Sequence, residues 1–197
     1  MEMHLLIGLL SFAFVTSITP GPNNLMLMAS GANFGFWRSG WHMLGVNLGF
    51  AALALIAGLG LASVVTAVPD AKAVLKIAAT LYMLWLAWKI AHAAAPGRGK
   101  SAGRPMSLFE AAAFQWVNPK AWAMALGSIS AYAPDGSPGS VMLVVLIFGL
   151  VNLPCIGLWV LGGEAVRHLL TNPTRLNAFN WTMATLLVLS LYPVLKL

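Results

Sequence analysis

Apolar runs of 18 or more residues follow one another from Met3 to the end of the chain, joined by short polar connections. Helices of about 20 apolar residues match the hydrocarbon core of a bilayer. With 59% of its 197 residues hydrophobic and 8% charged, against roughly 25% charged in an ordinary soluble domain, the chain leaves no stretch for a water-soluble core. The sequence predicts an all-α integral membrane protein, a single transmembrane domain over residues 1–197. In such a setting every backbone N–H and C=O must find a partner inside the protein.

Two places break that demand. Thr19-Pro20-Gly21-Pro22-Asn23-Asn24 sits inside the first apolar stretch, and Asn118-Pro119-Lys120 inside a later one. Proline lacks an N–H and crowds the carbonyl four residues back, so Pro20 and Pro22 free the carbonyls of Thr16 and Ile18, and Pro119 frees that of Gln115. An unsatisfied carbonyl in lipid costs several kcal/mol, so a break is tolerated where it is buried in protein or lines a wet cavity.

Six spans are predicted: about Met3 to Met28, Trp41 to Thr66, Ala73 to Ala91, Leu108 to Tyr132, Val141 to Leu161 and Phe179 to Leu195. The start is read as the first span and not as a cleaved leader, since it lacks a basic flank and runs into a break. A turn is expected at Val68-Pro69-Asp70, and a second turn cluster from Ala133 to Pro138. The basic linker at 94–107 divides the chain into half-repeats of about 1–93 and 108–197. Each half holds three spans, so the halves run in opposite senses, and the first span of each carries a proline break. Interrupted segments in corresponding positions of two inverted repeats point to a binding site near the midplane.

Lysine and arginine sort by side. Arg38, Lys89, Arg98, Lys100, Arg104, Arg167 and Arg175 fall on one side, and Lys72, Lys76 and Lys196 on the other. The first set is expected in the cytoplasm, which places both termini outside it. The net charge of +6 is thereby accounted for by membrane orientation, and no nucleic-acid partner is expected.

The breaks define the candidate binding residues: Pro20, Gly21, Pro22, Asn23, Asn24, Gln115, Asn118, Pro119 and Lys120. Free carbonyls suit an ammonium group, and helix N-termini after Pro22 and Pro119 suit a carboxylate. Together they suit a zwitterion. Lys120 is the deepest charge, a functional candidate by its position. Carboxylates are scarce, and Glu110 is the best available proton-coupling candidate, with an ordinary acidic residue in a helix's first turn as the alternative. His4, His42, His92 and His168 are read as interfacial. Gly31/Gly35 and Gly45/Gly49 have GxxxG spacing, which permits close helix approach within the bundle or in a homo-oligomer. The lone Cys155 excludes an internal disulfide, and no metal-ligand spacing, cofactor motif or catalytic constellation appears.

Thr19-Pro20-Gly21-Pro22-Asn23 followed by Gly31, Gly40 and Gly45, then Phe114-Gln115-Trp116-Val117-Asn118-Pro119-Lys120-Ala121, resembles the LysE/RhtB family of amino-acid exporters. Pro154-Cys155 with Trp159 and Gly162, and Phe179-Asn180, extend the likeness over essentially the whole chain. The resemblance implies a six-span inner-membrane exporter of amino acids or their derivatives, driven by proton exchange. The shortage of acidic residues favours neutral substrates over basic ones. An inorganic-ion carrier of similar architecture would want carboxylate-rich spans, and a membrane enzyme would want a catalytic constellation.

Overall fold

The computed structural model describes residues 2–61, 71–93, 103–170 and 172–192, and all regular structure among them is helical. The turn expected at Val68-Pro69-Asp70, most of the basic linker, and the residues beyond Tyr192 lie outside the described residues. In chain order the α-helices are α1 (Met3–Ile18), α2 (Pro22–Phe34), α3 (Gly40–Ile56), α4 (Ala71–Ala91), α5 (Leu108–Gln115), α6 (Pro119–Tyr132), α7 (Pro138–Arg167) and α8 (Pro173–Leu189).

Both proline breaks form where the sequence puts them. Pro20 stops α1, Gly21 is extended (φ −177°, ψ 176°), and Pro22 starts α2 in the first-turn position that needs no N–H; the two helices meet at a bend of 56°. In the second half, Asn118 caps α6 by accepting from the Lys120 backbone N–H, with Pro119 again in the first turn. Two ends differ from the sequence reading. Asn172 caps Pro173, so α8 begins six residues before Phe179. Ser137 caps Pro138 and Pro154 is absorbed without a break, so α7 runs through 30 residues, about 45 Å of helix.

Glycine decides how the helices pack. A Cβ on Gly31 would lie 2.0 Å from the Val160 carbonyl oxygen, and one on Gly163 would lie 2.0 Å from that of Met28, so α2 and α7 touch backbone to backbone. Gly45 and Gly49 do the same for α3 against α5, where added Cβ atoms would come 2.4 Å from the Leu108 oxygen and 2.5 Å from the Ala112 Cα. Both GxxxG stretches thus serve contacts inside the chain, although Gly35 itself is the α2 C-cap at φ +85°. At these contacts lies an apolar cluster of Leu27, Met43, Val46, Ala111, Ile156 and Val160, and larger ones centre on Phe50 and Phe148 and on Met83, Phe114 and Leu187.

The outer surface is also apolar. Ile7, Phe14 and Val15 of α1, Leu48 of α3, and Leu146, Leu150 and Leu158 of α7 are exposed, on a scale that water would not tolerate and lipid requires. Among the described residues, Trp37–Gly60 and Pro138–Leu170 are long and apolar enough to cross a membrane, and the bent α1–α2 pair passes the same test only when its two helices are taken together. The chain is a helical membrane protein.

Candidate functional site

The two breaks, about a hundred residues apart in sequence, meet. Lys120 reaches from the first turn of α6 across to the end of α1, and its Nζ donates to the Thr19 carbonyl at 2.6 Å, the Thr19 Oγ1 at 3.1 Å and the Pro20 carbonyl at 3.3 Å. Its stem lies on Gly21, where an added Cβ would come 2.6 Å from the Lys120 Cδ. A glycine at that point lets the lysine stretch over the break.

A second bridge is neutral. Asn23 Nδ2 donates to Gln115 Oε1 at 2.8 Å and Gln115 Nε2 returns a bond to Asn23 Oδ1 at 3.1 Å. Gln115 also donates to the Ala111 carbonyl at 2.9 Å and is fully buried. Each amide therefore has its orientation fixed by the other. Asn24 turns the opposite way, donating to the Ser17 and Thr19 carbonyls, both at 2.8 Å, and so ties α2 back onto the end of α1.

The carbonyls expected to be free have protein partners. Thr16 O accepts from Thr19 Oγ1 at 3.1 Å, Ile18 O from the Trp159 indole at 3.0 Å, and Gln115 O from the Asn118 N–H at 3.3 Å. The acceptors that meet an ammonium group are instead those of Thr19 and Pro20, and the ammonium is that of Lys120. All nine candidate residues lie at or beside this junction, and Gly21, Asn23, Asn24, Asn118 and Lys120 line one cavity.

Four further side chains with polar atoms stand at the junction. Thr16 and Ser17 form the α1 wall, Asn152 of α7 faces them and is held by its bond to Asn47 Oδ1 at 2.9 Å, and Trp159 caps the broken helix. Asn152 was detectable as a polar side chain within an apolar run. Ser17 Oγ is buried without a partner. The cavity measures about 20 Å³, room for a single water, so the junction is closed.

Glu110 and His42 have defined settings. Glu110 is taken up at the start of α5: Arg104 donates to both its oxygens at 2.7 and 2.8 Å, and Ser107 completes a capping box with it. Its carboxylate thus has the partners of a helix-capping acid. His42 is not interfacial but 2% exposed, since it sits on the inward face of α3 one turn before Val46. Among the described residues no group of histidine, cysteine, aspartate and glutamate could hold a metal ion. The site offers amides, carbonyls, hydroxyls and one cation, which can bind and orient a polar solute.

The sequence matches the LysE type translocator family profile over residues 14–189. Among curated proteins it is similar to the cysteine/O-acetylserine efflux protein of Escherichia coli (strain K12), 30% identical over 194 residues that cover 95% of this chain and 96% of the relative. The protein of the same description from Klebsiella pneumoniae is 28% identical over 190 residues, 95% of each chain. No solved structure matches.

Proposed function

The chain belongs to the LysE type translocator family, and from that premise we propose that it exports a small neutral amino acid or amino-acid derivative across the inner membrane by alternating access. It is a transporter and not an enzyme. The observation that carries the reading is the junction itself: two proline-broken helices from opposite halves are held together by one ammonium and one pair of amides around a closed cavity. A substrate ammonium can take the Thr19 and Pro20 carbonyls in place of Lys120, which leaves the lysine to meet the substrate carboxylate. Pro20, Gly21, Pro22, Asn23, Asn24, Gln115, Asn118, Pro119 and Lys120 then form the binding site.

Neutrality of the substrate is supported by the absence of any carboxylate from the described lining of the cavity and by the relatives, whose names specify cysteine and O-acetylserine efflux. The same absence disfavours an inorganic cation as cargo. Six spans in two inverted halves are supported by the helix contacts: α1 packs on α7 as α5 packs on α3, the pairing that exchange of the halves requires. The orientation with both termini outside the cytoplasm follows from the lysine and arginine distribution.

Purified protein in proteoliposomes, challenged with a panel of labelled amino acids with and without a pH gradient, tests the proposal. Counterflow of neutral amino acids, accelerated by an opposing proton gradient, is the expected result. No counterflow of any member overturns the exporter reading, and indifference to the gradient overturns proton antiport alone.

A further inference from the structure

A second cavity, of about 410 Å³, lies toward the basic ends of the helices, in the size range of small-molecule sites. It shares two helices with the central cavity. On α3, His42 lines the second cavity and Val46, one turn on, the central one; on α2, Asn23 lines the central cavity, and Met26 and Ser30 line the second. On α5 the order is the same, since Glu110 holds Arg104 of the second cavity and Gln115, at the other end, holds Asn23. The Asn23–Gln115 amide pair joins α2 to α5 at the central cavity, on the side from which both helices run toward the second.

The polar groups of this cavity are unequally satisfied. His42 is buried, and neither ring nitrogen has a partner, although a neutral imidazole carries one donor and one acceptor that are costly to bury unpaired. Lys89 rests its Nζ over the Trp85 ring at 4.5 Å and has no carboxylate partner among the described residues. Arg104 is already matched by Glu110. Opposite these stand apolar walls from Met26, Leu86 and Met106. An unpaired donor and an unneutralised cation beside apolar surface suit a carboxylate that carries a small side chain.

We propose that the second cavity is a loading site, in which His42 and Lys89 hold the carboxylate of the amino acid before it passes the Asn23–Gln115 pair into the central cavity. The proposal rests on the exporter reading and adds a site and a gate to it. In vesicles with the cytoplasmic face outward, His42→Phe is expected to raise KM for the best panel substrate at least tenfold with little change in kcat. His42→Gln, which keeps a donor and an acceptor, should stay within threefold of the wild type and controls for misfolding. Single cysteines introduced into a Cys155→Ala background read the gate. Ile90→Cys should react with an impermeant maleimide from that face and be protected by substrate. Ser17→Cys should react from that face at least tenfold faster when Gln115→Leu is also present. An unchanged KM in His42→Phe, or equal labelling of Ser17→Cys with and without Gln115→Leu, overturns the loading site while wild-type transport stands. Loss of all wild-type transport fails the exporter reading instead.

Discussion

Replacing Lys120 by methionine keeps the length and apolar contacts of its stem and removes the ammonium alone. In the closed junction that ammonium makes bonds of 2.6, 3.1 and 3.3 Å to Thr19 and Pro20. A hydrogen bond to a charged group contributes about 1.5–3 kcal/mol net. The Thr19 carbonyl also accepts from Asn24 at 2.8 Å, so it is not orphaned by the change, and one charge-assisted bond, about 2 kcal/mol, is the appropriate loss. At about 1.4 kcal/mol per tenfold, the equilibrium between closed and open junction shifts roughly thirtyfold toward open. Ser17→Cys in a Cys155→Ala background reports that shift, because Ser17 Oγ lines the cavity and has no partner to lose. Maleimide labelling should accelerate roughly thirtyfold in Lys120→Met, while Lys120→Arg, which keeps a donor, should stay within about threefold. Export should fall to background in Lys120→Met. Wild-type labelling rates in Lys120→Met, or undiminished export, would refute the idea that this lysine closes the junction.

Gly163→Val puts a side chain where even a Cβ lies 2.0 Å from the Met28 carbonyl oxygen. Overpacking of that kind costs about 1–3 kcal/mol or more, so the midpoint of thermal unfolding in detergent should fall by several degrees. Glu110→Gln removes an exposed ion pair and weakens a capping box; about 1 kcal/mol of stability is lost, and the pH dependence of transport in proteoliposomes should be that of the wild type. A pH profile that flattens in Glu110→Gln would identify that residue as the proton carrier. Trp159→Phe orphans the Ile18 carbonyl at the end of α1 and should cost about 1–3 kcal/mol, read by the same unfolding assay.

The sequence was most informative where a residue has one physical consequence. Pro20, Pro22 and Pro119 sit among polar or turn-forming neighbours, unlike Pro154, which α7 absorbs, so the two breaks were legible, as was the turn cluster near 133–138. The helix packing was half legible: GxxxG spacing announces close approach, but not that Gly31 meets α7 while Gly45 and Gly49 meet α5. What could not be read was which donor takes which acceptor. The proline rule frees carbonyls but says nothing of Trp159, 141 residues away, that satisfies one of them. His42 was misplaced for a related reason, since proximity to a helix end in sequence does not fix which face of the helix it occupies.

The identity of the cation in the closed junction bears on selectivity. Lys120 occupies the Thr19 and Pro20 carbonyls, so on the proposed reading substrate binding would exchange one ammonium for another beside the same carbonyls, with the displaced lysine only a few ångströms away. A neutral zwitterion brings a carboxylate that offsets this crowding. A lysine or arginine substrate brings a second cation with no carboxylate in the described lining to meet it. Two like charges about 7 Å apart at an effective dielectric constant near 20 repel by about 2 kcal/mol, a penalty of roughly thirtyfold in affinity. Competition of unlabelled lysine against a transported neutral amino acid should therefore be at least tenfold weaker than self-competition, and Lys120→Gln should narrow that gap. Equal competition by lysine in the wild type would mean that the lysine withdraws from the site when substrate binds.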